Sequence, residues 1–279
     1  MPAPNLDRLT EFIVARHKIY LKRQAGESKP WTNNPIFLNY RFCNVYRELD
    51  KVTIWIRKNW REPHDGDQHL WFAMAVARYI NLPSTLEELR FPIPWKPERL
   101  RQVADARRFA GLKIFNGAYI ISTQGAAIDK VTYLIGMFDK LWANREQLYP
   151  RKGWTLRRFA DGLLSQDGFA GFMTGQVVAD VKYAKPLCDA EDWHTFAVSG
   201  PGSRRGLNRV LGREVDKPWK EWEWYQELLV LRRHVNRALP KTMDELHAQD
   251  LQNCLCELDK YLRAKQGEGK PKQKYRGGK

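Results

Sequence analysis

Apolar positions recur at helical spacing along most of the chain. Leu6, Leu9, Ile13 and Tyr20, flanked by Phe12 and Ile19, predict a helix over Leu6–Arg23 that Ser28-Lys29-Pro30 breaks. Phe42, Val45, Leu49, Val52 and Ile56 predict a second helix over Phe42–Asn59. The stretch Leu70–Ile80 is so apolar that it reads as a buried helix. Pro97-Glu98 opens another helix, and Thr155 caps one that runs to Leu164. The glycine-rich run Gly168–Gln176 leads into more helix through Tyr183. Two long helices close the chain, Lys217–Leu239 and Met243–Lys265. The pattern changes only at Ala118–Thr123 and Lys130–Leu134, two β-prone runs joined by a glycine-containing loop, which admit a small β-hairpin insertion. The expectation is a mainly α protein: one helical domain over residues 1–266, with room for two lobes, and a basic tail over 267–279 that orders only on a polyanion.

Composition sharpens this picture in two ways. A hydrophobic content of 43% with eleven tryptophans supports a packed globule. The net charge of +15 exceeds what solubility needs and points to a polyanionic partner, nucleic acid first. No run approaches the roughly 18 apolar residues of a spanning helix, and the N-terminus has no apolar signal-peptide core, so no membrane role is expected. Cys43, Cys188, Cys254 and Cys256 are spaced for neither a zinc site nor a disulfide framework, which points to a reducing cytoplasm. No P-loop, nucleophile elbow, His-Glu-x-x-His or dinucleotide fingerprint is present.

Ser199-Gly200-Pro201-Gly202-Ser203-Arg204-Arg205-Gly206-Leu207 is the most distinctive local signal. Gly200 and Gly202 allow a sharp turn, and Ser203 suits an N-cap for the helix that follows. Backbone N–H groups at that helix end, with Arg204 and Arg205 beside them, would make an anion site. With a helical approach over Asp192–Val198, the segment resembles the hairpin of helix-hairpin-helix DNA glycosylases, in which a Gly-x-Gly turn holds a DNA phosphate. The alternative is a tight helix–helix turn with solvated arginines. Those glycosylases also place an aspartate at the head of the next helix. Here Asp216, Glu221 and Glu223 stand downstream in uncertain register, which weakens a base-excision reading.

Three polar patches interrupt the apolar pattern. In the first, Asn44, Arg47 and Lys51 share one face of the expected helix, Glu48 adjoins them, and Asp50 lies near the opposite edge. In the second, Asp180 interrupts the apolar run Val178–Tyr183. In the third, Glu257 and Tyr261 are i,i+4 neighbours, as are Cys256 and Lys260. Each is also compatible with an ordinary amphipathic helix or a solvated ion pair.

The order Trp31-Thr32, Arg41-Phe42-Cys43-Asn44-Val45-Tyr46-Arg47-Glu48-Leu49-Asp50, Asn59-Trp60-Arg61-Glu62-Pro63, Leu70-Trp71-Phe72-Ala73, Asn116-Gly117-Ala118-Tyr119 and Leu255-Cys256-Glu257-Leu258-Asp259-Lys260-Tyr261 resembles a phage-associated helical family. Its members are described as the helical domain of 5-hydroxymethyluracil DNA kinases and as α-glutamyl/putrescinyl-thymine pyrophosphorylases, or amino acid:DNA transferases. The resemblance runs from about Leu9 to Tyr261. It implies thymine hypermodification in phage DNA, within the bacterial host cytoplasm. A kinase makes a pyrophosphorylated ester of 5-hydroxymethyluracil, and an amine or amino acid then displaces pyrophosphate. With no kinase motif, the chain falls on the transferase side or is a non-catalytic helical module serving a separate DNA kinase. Base excision is the third reading.

Such a transfer needs a base for the amine, cations for the departing pyrophosphate and aromatic faces for an extruded pyrimidine. Glu257, Asp180 and Asp50 are the candidate bases. Arg47, Lys51 and Lys260 are the candidate leaving-group ligands, Tyr46, Tyr119 and Tyr261 the candidate stacking residues, and Asn44 a polar contact to substrate. Gly200, Gly202, Ser203, Arg204 and Arg205 are the candidate DNA contacts. No cofactor and no metal are expected. The expected partners are double-stranded DNA with a modified pyrimidine, an amine or amino-acid donor, and a separate kinase.

Overall fold

The computed structural model describes residues 5–117, 123, 125 and 127–268. Among these residues the regular structure is helical: α1 Leu6–Gln24, α2 Pro35–Asn39, α3 Lys51–Ile56, α4 Leu70–Ile80, α5 Pro83–Leu89, α6 Pro97–Phe109, α7 Lys130–Ala143, α8 Arg145–Leu148, α9 Leu156–Leu164, α10 Gly171–Val181, α11 Pro201–Val210, α12 Glu221–Ala238 and α13 Ala248–Gln266. The mainly α class is therefore correct. The chain divides into two compact units, Met1–Asp50 with His194–Lys279, and Lys51–Trp193. None of the described helices is long and apolar enough to cross a membrane.

The helix starts follow local chemistry. The Asn5 side chain accepts the Arg8 N–H, that of Asn34 accepts those of Ile36 and Phe37, and Thr155 accepts that of Arg158. Proline opens α2, α5, α6 and α11. Every residue of α4 is buried, as its composition demands. It forms the centre of the 51–193 unit, packing against α10, α5 and α7. Phe72 meets Trp71, Trp95, Phe138 and Trp142 edge-on there.

The other unit has a separate core, with Leu9, Phe12 and Ile13 of α1, Trp224, Leu228 and Leu231 of α12, and Leu251, Leu255 and Leu258 of α13. Within it α11 lies directly on α13. A Cβ at Gly206 would sit 2.1 Å from the Leu255 carbonyl oxygen, so the two backbones touch. At Gly202, one turn earlier, a Cβ would meet the Cys256 sulfur at 2.4 Å. Gly206→Ala is expected to cost about 3 kcal/mol in urea denaturation, because backbone cannot step aside as a side chain can. Gly202→Ala, facing a rotatable thiol, is expected to cost about 1 kcal/mol or less. Equal midpoints for the two variants would show that the helices separate freely.

Four expectations are corrected. Lys130–Leu134 is helix, not strand. The Asp129 carboxylate caps it by accepting the Val131 and Thr132 N–H groups, and Val131, Leu134, Phe138 and Leu141 bury at helical spacing. The other half of the expected hairpin, Ala118–Ser122, lies outside the described residues. Asp192–Val198 is turn and irregular chain, not helix. The Asp192 carboxylate instead accepts the Leu156 and Arg157 N–H groups at the start of α9. Gly200-Pro201-Gly202 therefore does not join two helices: Gly200 is the extended N-cap of α11, and Gly202 lies within its first turn.

The helix expected over Phe42–Asn59 begins only at Lys51. Finally, α12 and α13 start later than their apolar patterns suggest. The Asn208 amide holds the Val215 and Lys217 carbonyls at 2.9 Å each, and Ala248 N–H reaches the His194 carbonyl at 2.9 Å. Gly267 ends α13 in the left-handed conformation. The tail from residue 269 lies outside the described residues.

Candidate functional site

On α13 the apolar stripe faces the core, and Asp250, Asn253, Glu257 and Lys260 form a second, polar stripe at i, i+3, i+7 and i+10. Glu257 is only 9% exposed. Its Oε2 accepts the Cys43 N–H at 3.0 Å, and the Lys260 ammonium lies 3.1 Å from the same oxygen and 3.4 Å from the other. The same ammonium sits 4.7 Å from the centre of the Phe42 ring. A carboxylate, a cation, an aromatic face and a backbone loop thus converge at one place.

That loop is residues 41–50, and hydrogen bonds explain why it is not helical. The Asn44 side chain donates to the Leu49 carbonyl at 2.6 Å, while Asn44 N–H donates to Asp50 Oδ1 at 2.9 Å. Local side-chain bonds of this kind compete with a helix, leaving only a 3-10 turn at Arg47–Leu49. Asn44, Arg47 and Lys51 consequently do not share a helix face. The loop is fastened from outside as well. Arg16 donates to the Phe42 carbonyl at 3.1 Å and to Asn44 Oδ1 at 2.8 Å. Asp250 accepts the Arg47 N–H at 3.0 Å, and Asn253 reaches the Asn44 carbonyl at 3.3 Å.

Burial pushes the Asp50 carboxyl above its ordinary value, against the opposing pull of the Asn44 N–H and of Arg47 and Arg16. The charge of Glu257 pushes in the same direction as burial, so these two candidate bases share one electrostatic neighbourhood. Arg16, Asp250 and Asn253 were not picked out in the sequence. The stripe spacing of Asp250 and Asn253 with Glu257 was a readable signal for two of them.

The remaining candidates divide as follows. The Tyr261 hydroxyl bonds the Asn34 amide at 2.8 Å, and its ring packs 5.1 to 6.2 Å from Phe37, Phe12 and Phe42. The Tyr46 hydroxyl donates to the Asp244 carbonyl at 2.6 Å. Lys51 is exposed at the head of α3. Tyr119 lies outside the described residues.

Asp180 belongs to the 51–193 unit, whereas Asp50 and Glu257 belong to the other. There it grips Arg78 through both carboxylate oxygens, with Thr53 accepting from the same guanidinium at 3.0 Å. Among the described residues no group of three or more His, Cys, Asp or Glu side chains could hold a metal ion.

The glycine-arginine segment is committed to internal contacts. The Ser203 hydroxyl both accepts the Gly200 N–H and donates to its carbonyl, each at 3.0 Å. Arg204 pairs with Glu221 at 2.9 Å and donates to the Ser199 hydroxyl and the Trp219 carbonyl. Arg205 pairs with Asp216 and, at 3.2 Å, with Asp259, which also holds Arg209 at 2.8 Å. These ion pairs fix α11 to its surroundings and give both arginines structural duties.

The sequence model described as "5-hmdU DNA kinase, helical domain" matches residues 3–271. A curated 5-hmdU DNA kinase of Bacillus phage SP10 is 26% identical over 228 residues, covering 71% of this chain and 35% of that protein. The chain thus spans about a third of the length of that relative. No solved structure matches. With the family matched across nearly all of its length, the chain belongs to the 5-hmdU DNA kinase helical-domain family.

Proposed function

We propose that the chain acts on DNA in thymine hypermodification. It binds double-stranded DNA that carries a modified pyrimidine, draws that base from the stack and transfers an amine or amino acid to it. The observation that supports this reading best is the Glu257 carboxylate held beside Lys260, Phe42 and Cys43 in a chain of net charge +15. The substrate is pyrophosphorylated 5-hydroxymethyluracil. The amine nitrogen bonds to the exocyclic carbon, the carbon–oxygen bond to pyrophosphate breaks, and the leaving group takes the electron pair. The proton lost by the amine passes to Glu257 as general base. Lys260 and Arg47 offset the charge of the departing pyrophosphate in this reading.

A second reading has its own support. The kinase relative is matched over only 35% of its length, and this chain lacks a Gly-x-x-x-x-Gly-Lys-Ser/Thr run. A non-catalytic helical module that delivers DNA to a separate kinase fits both facts. Nucleoside mass spectrometry separates the readings after the protein meets kinase-treated 5-hydroxymethyluracil DNA and an amine pool. A mass gain on the base supports transfer, a released free base supports excision, and unchanged nucleosides support the binding module. In either DNA-binding reading, affinity is expected to fall steeply as salt rises, because lysine and arginine contacts release counterions from the phosphates. Salt-independent binding in an anisotropy titration would remove nucleic acid as the partner.

A further inference from the structure

Phe109 is the last residue of α6 and is 98% exposed. Leu112, three residues on, is 53% exposed. Nothing in the helix ending needs a phenylalanine at that place. Gly111 takes φ +66°, the Gly111 N–H reaches the Arg108 carbonyl at 3.0 Å, and the Leu112 N–H reaches the Arg107 carbonyl at 2.8 Å. This is a glycine-terminated helix end, satisfied by backbone alone.

The turn is also rigidly mounted. The buried guanidinium of Arg107 donates to the Lys113 carbonyl at 2.7 Å and to the Ser84 hydroxyl at 3.0 Å, and pairs with Glu88. Thr85 holds the Ile114 carbonyl at 2.9 Å, and Asn116 N–H reaches the Ile80 carbonyl at 3.1 Å. An aromatic ring thus projects fully into solvent from a turn anchored to α4 and α5.

The surroundings favour a polyanion over an apolar protein surface. Between Arg101 and Lys113 the sequence carries Arg101, Arg107, Arg108 and Lys113 against the acid Asp105. Arg107 is buried on Glu88 and Arg108 pairs with Asp105 and Asp129, so the local excess of positive charge rests on Arg101 and Lys113. Lys113, four residues after Phe109 in the chain, is exposed. An exposed apolar prong on a chain with an excess of positive charge is the kind of feature by which proteins wedge a base step open.

We propose that Phe109 is a wedge that enters the base stack of double-stranded DNA, with the exposed Lys113 meeting an adjacent phosphate. This inference rests on the DNA-binding reading above and adds the surface that opens the stack. Unstacking a neighbouring step lowers the cost of extruding a base.

The full chain is titrated with a duplex that carries 2-aminopurine next to 5-hydroxymethyluracil. Anisotropy reports affinity, and 2-aminopurine fluorescence reports unstacking. Wild type is expected to bind and to raise the fluorescence. Phe109→Ala is expected to abolish that rise and to weaken binding about tenfold, the loss of roughly one base–aromatic contact. It should keep the wild-type melting temperature and the wild-type slope of affinity against salt. Phe109→Leu, still an apolar wedge, is expected to restore part of the fluorescence rise.

Wild-type fluorescence from Phe109→Ala with binding intact overturns the wedge and leaves the DNA reading standing. No DNA binding by wild type at low salt overturns both. A wild type that sediments as a dimer, a Phe109→Ala variant that sediments as a monomer and an unchanged DNA response would assign the ring to a second copy of this chain, and the wedge would fall.

Discussion

Asp180→Ala is expected to destabilise the protein by about 3–5 kcal/mol, a loss visible in any denaturant titration. Asp180 is fully buried and Arg78 is 2% exposed, so water cannot replace either partner. Removing the carboxylate takes the Asp180 counter-charge from a buried guanidinium that cannot lose its proton at any accessible pH. The complementary change Arg78→Met takes away the guanidinium on which both Asp180 carboxylate oxygens close, and should cost a similar amount. Combining Arg78→Met with Asp180→Leu removes both charges and fills the space, so the double variant should be markedly more stable than the sum of the singles predicts. The experiment also bears on chemistry. Asp180 is a candidate base, yet both of its oxygens are engaged by Arg78. A stable Asp180→Asn variant without activity would return it to the catalytic candidates, whereas a general loss of fold assigns it to the core.

Whether a segment is legible in the sequence depends on whether local and long-range forces agree there. In α4 the two agree: an almost unbroken apolar run has nowhere to go but the interior, and its limits Leu70–Ile80 fall where the pattern ends. At residues 42–50 they disagree. Val45, Leu49, Val52 and Ile56 have helical spacing, yet the Asn44 amide and the Asp50 carboxylate tie the backbone into a loop first.

At Lys130–Leu134 β-branched residues pointed to a strand, and one aspartate placed just ahead of them as a cap prevailed. Gly200 and Gly202 read in the sequence as turn residues, but neither takes a positive φ, and Gly202, with Gly206 one turn on, serves close approach to α13. A four-residue glycine spacing suits either role, and only the partner helix decides. The contact between Glu257 and Cys43 has no sequence signature, because no spacing rule relates a loop near the N-terminus to the last helix.

Glu257→Gln is expected to lower amine transfer by about 10²–10⁴-fold, the usual contribution of a positioned general base. Glutamine keeps the size of the side chain and an oxygen that can accept the Cys43 N–H, so loop 41–50 should stay docked on α13. It gives up the charge opposite Lys260 and the ability to take a proton from the incoming amine. Melting temperature and DNA affinity should therefore stay close to wild type while turnover falls, a separation that a structural ion pair would not produce. Glu257→Ala, by contrast, leaves the Cys43 N–H without its acceptor and should also destabilise, by about 1–3 kcal/mol.

Asp50 provides the internal control. The Glu257 charge helps to hold its carboxyl above the ordinary value, so in Glu257→Gln the Asp50 carboxyl should titrate lower than in wild type. Carbon-detected NMR of the aspartate carboxyls reads that shift without any substrate. If transfer persists at the wild-type rate in Glu257→Gln while Asp50 shifts as expected, the two carboxylates are neighbours but Glu257 is not the base. Asp50→Asn then becomes the decisive variant. If transfer disappears with the fold intact, Glu257 accepts the proton.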